Sequence, residues 1–282
     1  MIVVSGATGT VGRELVAELT RRQAKVRALS RNPGRIVFPA GVEVVAADPA
    51  SPQTLGPALA GAENVFVLAT GPDRLAHETN LVAAARQAGA GRLVKLSALT
   101  VQDDTADDLI TGWHRAAEQA VMRSGLPWTI LRPGAFMSNT LAWVPMIRHQ
   151  SRVFAPYAQV RTAAIDPADI AAAAAAVLLE DAHDGRAYPL TGPEPVSATD
   201  QARILGAALG REIGITEIPA EAAREQMIQA GTPAQVAAAV LATLARAGTG
   251  PGARVLPAVA ELTGRPARTF SNWAIRHIAA FR

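Results

Sequence analysis

Met1-Ile-Val-Val-Ser-Gly6-Ala-Thr-Gly9-Thr-Val-Gly12 opens the chain, a short apolar run leading straight into three evenly spaced glycines. Behind them Val11, Leu15 and Leu19 fall on one face of a helix-period pattern. A strand, a glycine turn and a helix in that order let backbone amides approach a pyrophosphate while the helix N-terminus faces the negative charge. Gly6 is expected to make the tight turn, Gly9 to admit the phosphate and Gly12 to let the helix pack on the strand. Thr8, Thr10 and Val11 complete the cradle. The spacing is G-x-x-G-x-x-G and not the G-x-G-x-x-G of the simplest fingerprint, so the strand-turn-helix context carries the reading.

Outward from this turn, short apolar runs alternate with helical stretches, the rhythm of a parallel sheet covered on both faces. Strands are expected at 2–4, 26–29, 42–46, 64–68, 93–96, 128–131 and 187–190, with helices near 11–22, 53–60, 74–88, 110–124 and 167–180. Asp166, Pro167 and Asp169 mark the start of the last of these, and its run of alanines reads as close packing. From about residue 198 the rhythm becomes helical. Ser197, Thr199 and Asp200 offer caps. Helices are expected near 199–209, 220–230, 233–247, 254–263 and 269–280, with a strand-like stretch at 215–218. The expected architecture is α/β: a Rossmann-type, doubly wound parallel sheet with a smaller, mostly helical C-terminal substrate lobe. Residues 1–135, completed by about 157–190, form the dinucleotide-binding domain, and 136–156 with 191–282 form the lobe.

Composition narrows the function. The chain has 282 residues, 49% hydrophobic and 18% charged, which describes a protein with ample core and not a disordered one. A net charge of +3, no long basic run and few aromatics beside the arginines argue against nucleic acid as a partner. The absence of cysteine excludes disulfides, thiolate metal sites and a cysteine nucleophile. The apolar stretch 170–179 is too short to span a bilayer, and a strand starting at residue 2 leaves no room for a signal peptide. No membrane association and a cytoplasmic location are the expectation.

The end of the second strand selects the cofactor, since a carboxylate there binds the ribose hydroxyl of NAD. This chain reads Ala28-Leu-Ser30-Arg31-Asn32 instead. Arg31 is placed to meet the 2′-phosphate of NADP, with Arg13 assisting, although ordinary surface exposure also explains both. NADP(H) is preferred, with NAD(H) the alternative. Asp48 is a candidate for the adenine amino group or for capping its own turn. Ala69, Thr70, Ser97, Ala98 and Pro133 follow strand ends and are expected along the dinucleotide.

These segments carry a family resemblance. The glycine loop, Val26-Arg-Ala-Leu-Ser-Arg31, Leu93-Val-Lys-Leu-Ser97, His114…Glu118 and Ser124-Gly-Leu-Pro-Trp-Thr-Ile-Leu-Arg-Pro-Gly134 together resemble the NmrA-like group of atypical, extended short-chain dehydrogenases. Asp166-Pro-Ala-Asp-Ile170, Leu190-Thr-Gly-Pro193 and Leu262-Thr-Gly-Arg-Pro266 continue the likeness along nearly the whole chain. The resemblance implies one of several roles: quinone reductase, reductase of plant phenolics, tailoring oxidoreductase or monooxygenase for aromatic polyketides, or a regulator that senses the dinucleotide and binds a protein partner.

Typical members of the wider group use a Tyr-x-x-x-Lys pair, in which lysine lowers the tyrosine pKa for proton relay. Here the only lysines are Lys25 and Lys95, and neither tyrosine, Tyr157 or Tyr188, has a lysine four residues on. His114 and Glu118 stand in those places, one helical turn apart. With Ser97 they are the catalytic candidates, Glu118 orienting His114 or raising its pKa; a surface His-Glu pair is the alternative. Reduction of a quinone yields a phenolate whose conjugate acid has a pKa of about 10, so it leaves with little help from a proton relay. A quinone, enone or other conjugated acceptor therefore suits the chain better than a ketone. Phe136, Met137, Asn139, Trp143 and Met146 are expected to line the pocket of a small hydrophobic aromatic substrate, although apolar clusters also serve simply as core. Asn80 is expected to hold a water near the nicotinamide, by fold analogy. No metal and no flavin are expected. A monomer or homodimer fits.

Overall fold

The structure, a computed structural model, describes residues 1–35 and 37–282. The first part of the chain runs β1 (Ile2–Val4), α1 (Thr10–Arg21), β2 (Val26–Ser30), β3 (Glu43–Ala46), α2 (Leu55–Leu59), β4 (Asn64–Val67), α3 (Arg74–Gln87), β5 (Arg92–Leu96), α4 (Leu109–Met122) and β6 (Trp128–Pro133). It continues through α5 (Val144–Gln150), β7 (Arg152–Ala155), α6 (Pro167–Leu179), β8 (Arg186–Leu190), α7 (Ala198–Leu209) and β9 (Gly214–Glu217). Helices α8 (Ala220–Gln229), α9 (Ala234–Arg246), α10 (Ala258–Thr263) and α11 (Phe270–His277) close it.

Seven strands form one parallel sheet in the order β3-β2-β1-β4-β5-β6-β8. This is the Rossmann-like α/β fold, and the order reverses between β1 and β4. Side chains alternate across the sheet, as a period of two requires. Ile2, Val4, Val94 and Leu96 face α1 and α6, whereas Val3, Val65, Val67 and Leu93 face α2, α3 and α4. Both faces are therefore covered, which is why these strands read as continuous apolar runs.

Helix α6 lies beside α1 with its whole Ala171–Ala176 run buried. Alanine is both the best helix former and the thinnest side chain that still fills space, so the run lets two helices approach closely. Asp166 caps it by accepting a hydrogen bond from the Ala168 N–H at 2.9 Å. The same carboxylate also pairs with Arg276, and Asp169 pairs with Arg268. Two acids expected only to mark the start of the helix thus also tie down the C-terminal segment.

Two differences from the expected elements have physical reasons. A second, two-stranded parallel sheet pairs β7 with β9, and β7 escapes sequence reading because Arg152-Val-Phe-Ala155 follows a helix with no proline or glycine between to mark a boundary. The helix expected over 254–263 begins at 258, because Pro257 disfavours helical backbone in the residue before it. Around the small sheet, Met137, Ile147, Val153, Leu205, Phe270, Trp273 and Phe281 form a separate buried cluster. Ala258 and Val259 of α10 instead join the core of β1, α1 and α6.

Candidate active site

Ligands of open parallel sheets bind beyond the carboxyl ends of the strands, where the strand order reverses. A cleft of about 490 Å³ lies there, within the roughly 300–1,000 Å³ usual for small-molecule sites. It begins on the glycine turn. Gly6 has φ +65° and its carbonyl accepts the Gly9 N–H at 3.0 Å, closing the turn tightly. A Cβ on Gly12 would stand 2.1 Å from the Gly6 oxygen, so α1 sits against the loop at a distance only glycine permits. Gly9 is the N-cap of α1 and offers no capping side chain, which leaves the first-turn amides facing the cleft. Ser5 Oγ donates to the Leu68 carbonyl at 2.8 Å and fastens the start of the loop to the end of β4.

Gly6, Thr8, Gly9, Thr10 and Val11 line the cleft at this end. Arg31 follows β2 and Asp48 follows β3 on the same wall; Asp48 also accepts the Ala50 N–H at 3.0 Å, so it closes its own turn. Arg31 is exposed and pairs with no carboxylate among the described residues. Two expected cofactor residues stand elsewhere. Gly12 is buried in the helix-strand contact, and Arg13 folds back so that its Nε donates to the Thr8 carbonyl at 2.8 Å. Ala69, Thr70, Ser97, Ala98 and Pro133 line the remainder as the strand-end rule requires.

Beyond the diphosphate loop the cleft runs between α3 and α4. His114 lines it, and its Nδ1 is buried without a hydrogen-bond partner. Ser97 at the end of β5 is 5% exposed, and its Oγ is likewise unpartnered. The expected His114–Glu118 pair does not form. Both Glu118 oxygens are held by Arg132 from β6, at 2.9 Å from Nε and 2.6 Å from the terminal nitrogen. Burial first, then the positive charges of Lys95 and Arg74, hold the His114 pKa well below the usual imidazole value. His114 is therefore neutral at physiological pH, the opposite of the imidazolium that a neighbouring carboxylate would favour.

Lys95 is the residue whose role sequence reading missed. It is fully buried inside β5, its ammonium 3.0 Å from Glu78 of α3 and also bonded to the Leu96 carbonyl. Glu78 in turn accepts the Ala69 N–H at 3.1 Å, so the pair fixes the loop after β4 that lines the cleft. A lone charge in the apolar run Leu93-Val-Lys-Leu was the available signal, because a buried ammonium must find a partner. Arg74 and His77 were missed as well. Both line the cleft from the first turn of α3, where the strand-end rule already pointed.

Of the expected substrate residues, Phe136 and Asn139 line the cleft. Met137 is 1% exposed and belongs to the buried cluster around the small sheet, Trp143 packs against that cluster, and Met146 lies on α5 outside the lining. The 3₁₀ turn through Met137–Trp143 sends Asn139 to the cleft and Met137 to the core, with Thr140 Oγ1 bonded back to the Met137 carbonyl. Asn80 also stands outside the cleft, its amide donating to the Pro49 carbonyl at 2.9 Å.

A family model described as NAD(P)H-binding matches residues 6–181, the stretch that builds this cleft. The chain belongs to the NAD(P)H-binding family. It is 44% identical over 282 residues to the (4-alkanoyl-5-oxo-2,5-dihydrofuran-3-yl)methyl phosphate reductase of Streptomyces griseus subsp. griseus, covering all of this chain and 99% of the other. It is 36% identical over 284 residues to the NAD(P)H azoreductase of Xenophilus azovorans, again covering 100% and 99%. The NADPH-dependent quinone oxidoreductase of Escherichia coli, solved in complex with NADPH, superposes with a TM-score of 0.85 at 25% identity, over 98% of this chain and 99% of that one. The NmrA-like resemblance therefore holds, and this member of the family is an NAD(P)H-dependent oxidoreductase.

The residues present fit the dinucleotide. The glycine turn carries no side chain at Gly6, Gly9 or Gly12, and the uncapped α1 offers free amides of the kind a diphosphate takes. Among the described residues no helix is long and apolar enough to cross a membrane, and no group of three His, Cys, Asp or Glu is placed to hold a metal ion.

Proposed function

We propose that this oxidoreductase uses NADPH to reduce a conjugated acceptor, an activated alkene or a quinone, whose charge after hydride addition spreads over carbonyl oxygens. The observation that carries the reading is the pair of unpartnered polar atoms, Ser97 Oγ and His114 Nδ1, in the wall of the cleft where a Tyr-x-x-x-Lys relay is missing. The relatives' names support it. A 4-alkanoyl-5-oxo-2,5-dihydrofuran has its ring double bond conjugated to two carbonyls, and a quinone is similarly conjugated.

The reduced nicotinamide supplies the hydride. Gly6, Thr8, Gly9, Thr10 and Val11 hold its diphosphate, and Arg31 holds the 2′-phosphate, which is the basis for preferring NADPH to NADH. Asp48 faces the adenine end. Ala69, Thr70, Ala98 and Pro133 fix the remaining path of the dinucleotide. Phe136 and Asn139 shape the acceptor pocket. Neutral His114 and Ser97 act as hydrogen-bond donors to the developing enolate or phenolate oxygen, and no residue need deliver a proton at once. Glu118 keeps Arg132 neutralised and takes no part in proton transfer. The division into a dinucleotide unit and a substrate lobe at the stated boundaries belongs to the same proposal.

The test follows NADPH and NADH oxidation by the purified chain against a quinone, an acylated furanone and a simple dialkyl ketone. Turnover of the first two and not of the ketone is expected, with kcat/KM for NADPH at least about tenfold above that for NADH, a difference of ~1.4 kcal/mol. Ketone reduction at the quinone rate would overturn the reading.

A further inference from the structure

Charge is unevenly spread along the cleft. Asp48, at the end of β3, is the one carboxylate among its described lining residues. Toward β5 and β6 the lining charge is Arg74 of α3, with the imidazoles of His77 on the same helix and His114 of α4 beside it. Arg74 stands in the first turn of its helix, where a cation opposes the helix dipole. Its guanidinium lies over the Trp113 ring, 4.8 Å from the centroid, and its Nε donates to the Gly71 carbonyl at 3.1 Å. The two terminal nitrogens bond no group among the described residues. The nearby carboxylate, Glu78, is already held by Lys95 and the Ala69 amide.

A stacked arginine with one edge tied and the other free presents the fork that grips an oxyanion with two hydrogen bonds. The same wall holds the unpartnered Oγ of Ser97, a residue 5% exposed, and the unpartnered Nδ1 of His114. Buried polar atoms lacking protein partners call for ligand atoms. The cofactor's own anions have other receptors, since the diphosphate meets the glycine turn and the 2′-phosphate meets Arg31 after β2. The free edge of Arg74 is left open to a third anion.

We propose that Arg74, with His77 one turn along α3, binds a phosphate group carried by the reducible substrate, so that the enzyme selects phosphorylated conjugated acceptors. This rests on the reductase reading above. A phosphate monoester offers the two oxygens that the free edge of the guanidinium requires, and the His77 ring adds an N–H donor.

The full chain saturated with NADP⁺ binds substrate without turning it over, which allows calorimetric titration with a (4-alkanoyl-5-oxo-2,5-dihydrofuran-3-yl)methyl phosphate and with the same compound lacking its phosphate. The phosphate is expected to bind about 10–100-fold more tightly, the scale of a charge-assisted contact. Arg74→Met should abolish that difference while NADP⁺ remains preferred over NAD⁺ by the wild-type factor. Should Arg74→Met fail to fold, Arg74→Lys makes the same comparison, keeping charge and losing the fork, and should reduce the difference. Equal binding of the two compounds, binding of neither, or the full wild-type difference persisting in the variant overturns the proposal. Loss of the NADP⁺ preference in the variant assigns the arginine to the cofactor and overturns it too. A phosphate advantage without NADPH oxidation by either compound would refute the reductase reading and leave the anion site standing.

Discussion

A single methyl group separates tolerance from disruption at two glycines on different helices. At Gly12 an added Cβ would meet the Gly6 carbonyl at 2.1 Å and the Ala7 Cα at 2.8 Å, both backbone atoms that cannot step aside cheaply. At Gly112, exposed on α4, nothing lies within 4 Å. Gly12→Ala is expected to cost about 1–3 kcal/mol as α1 is forced off the loop, and to weaken NADPH binding with it. Gly112→Ala should stabilise by about 0.4–1 kcal/mol through lost freedom of the unfolded chain. Urea melts of the two variants check both signs. His114 yields a pH prediction. Its folded pKa is held low by burial, whereas the unfolded side chain titrates near ~6.5. Below that value the unfolded chain takes up the proton more readily, so stability falls as the pH drops through it. The wild-type Tm should therefore decline more between about pH 7.5 and about pH 5.5 than that of His114→Asn. An equal decline would remove His114 as the cause.

Between β5 and α3 the Lys95–Glu78 pair joins a strand, a helix and the loop that lines the cleft. Breaking one side of a buried pair leaves an uncompensated charge and costs about 3–5 kcal/mol, so Glu78→Gln is expected to be strongly destabilising. Replacing both partners, as Glu78→Leu with Lys95→Met, should recover most of that stability. The double variant should still bind NADPH more weakly, because the Ala69 N–H has lost its acceptor. Full recovery of both properties would show that the pair merely fills the core. The elements themselves were largely legible. β1 was expected at 2–4 and is found there, and α3 and α6 each fall within a residue of expectation, because helix propensity and, for α6, the Asp166 cap are local signals. β7 was not, since no proline or glycine separates it from α5 and its partner strand lies 62 residues on. The glycine turn was readable because strand, turn and helix are contiguous. The partners of Glu118 and Lys95 were not, because Arg132 and Glu78 reach them only through the order of the strands.

Across the whole molecule, the far end of the chain is fastened to the start of α6 by two ion pairs, Arg268 with Asp169 and Arg276 with Asp166. Burial raises the Asp169 pKa against the pull of Arg268, so this carboxylate depends on its partner. Arg268→Ala should destabilise by about 3–5 kcal/mol, and Asp169→Asn in the same chain should restore part of the loss by removing the stranded charge. If the second substitution adds its own full penalty instead, the two side chains are not coupled. The same scale explains why the stretch 136–146 was harder to place against the cleft than the glycine turn. Phe136 faces the cleft and Met137 faces the core, yet the two are neighbours of similar character, and only the packing of α5, α7 and α11 distinguishes them.

The alanines of α6 act as a spacer gauge. Because six successive side chains end at the first carbon, α1 can lie alongside that helix and still press its amino end onto the glycine turn. Ala173 is fully buried in the core that α6 shares with α1, so Ala173→Leu would overpack that core and strain the seat of α1 on the glycine turn. Grip on the coenzyme is thus gauged in part by methyl groups that never come near it.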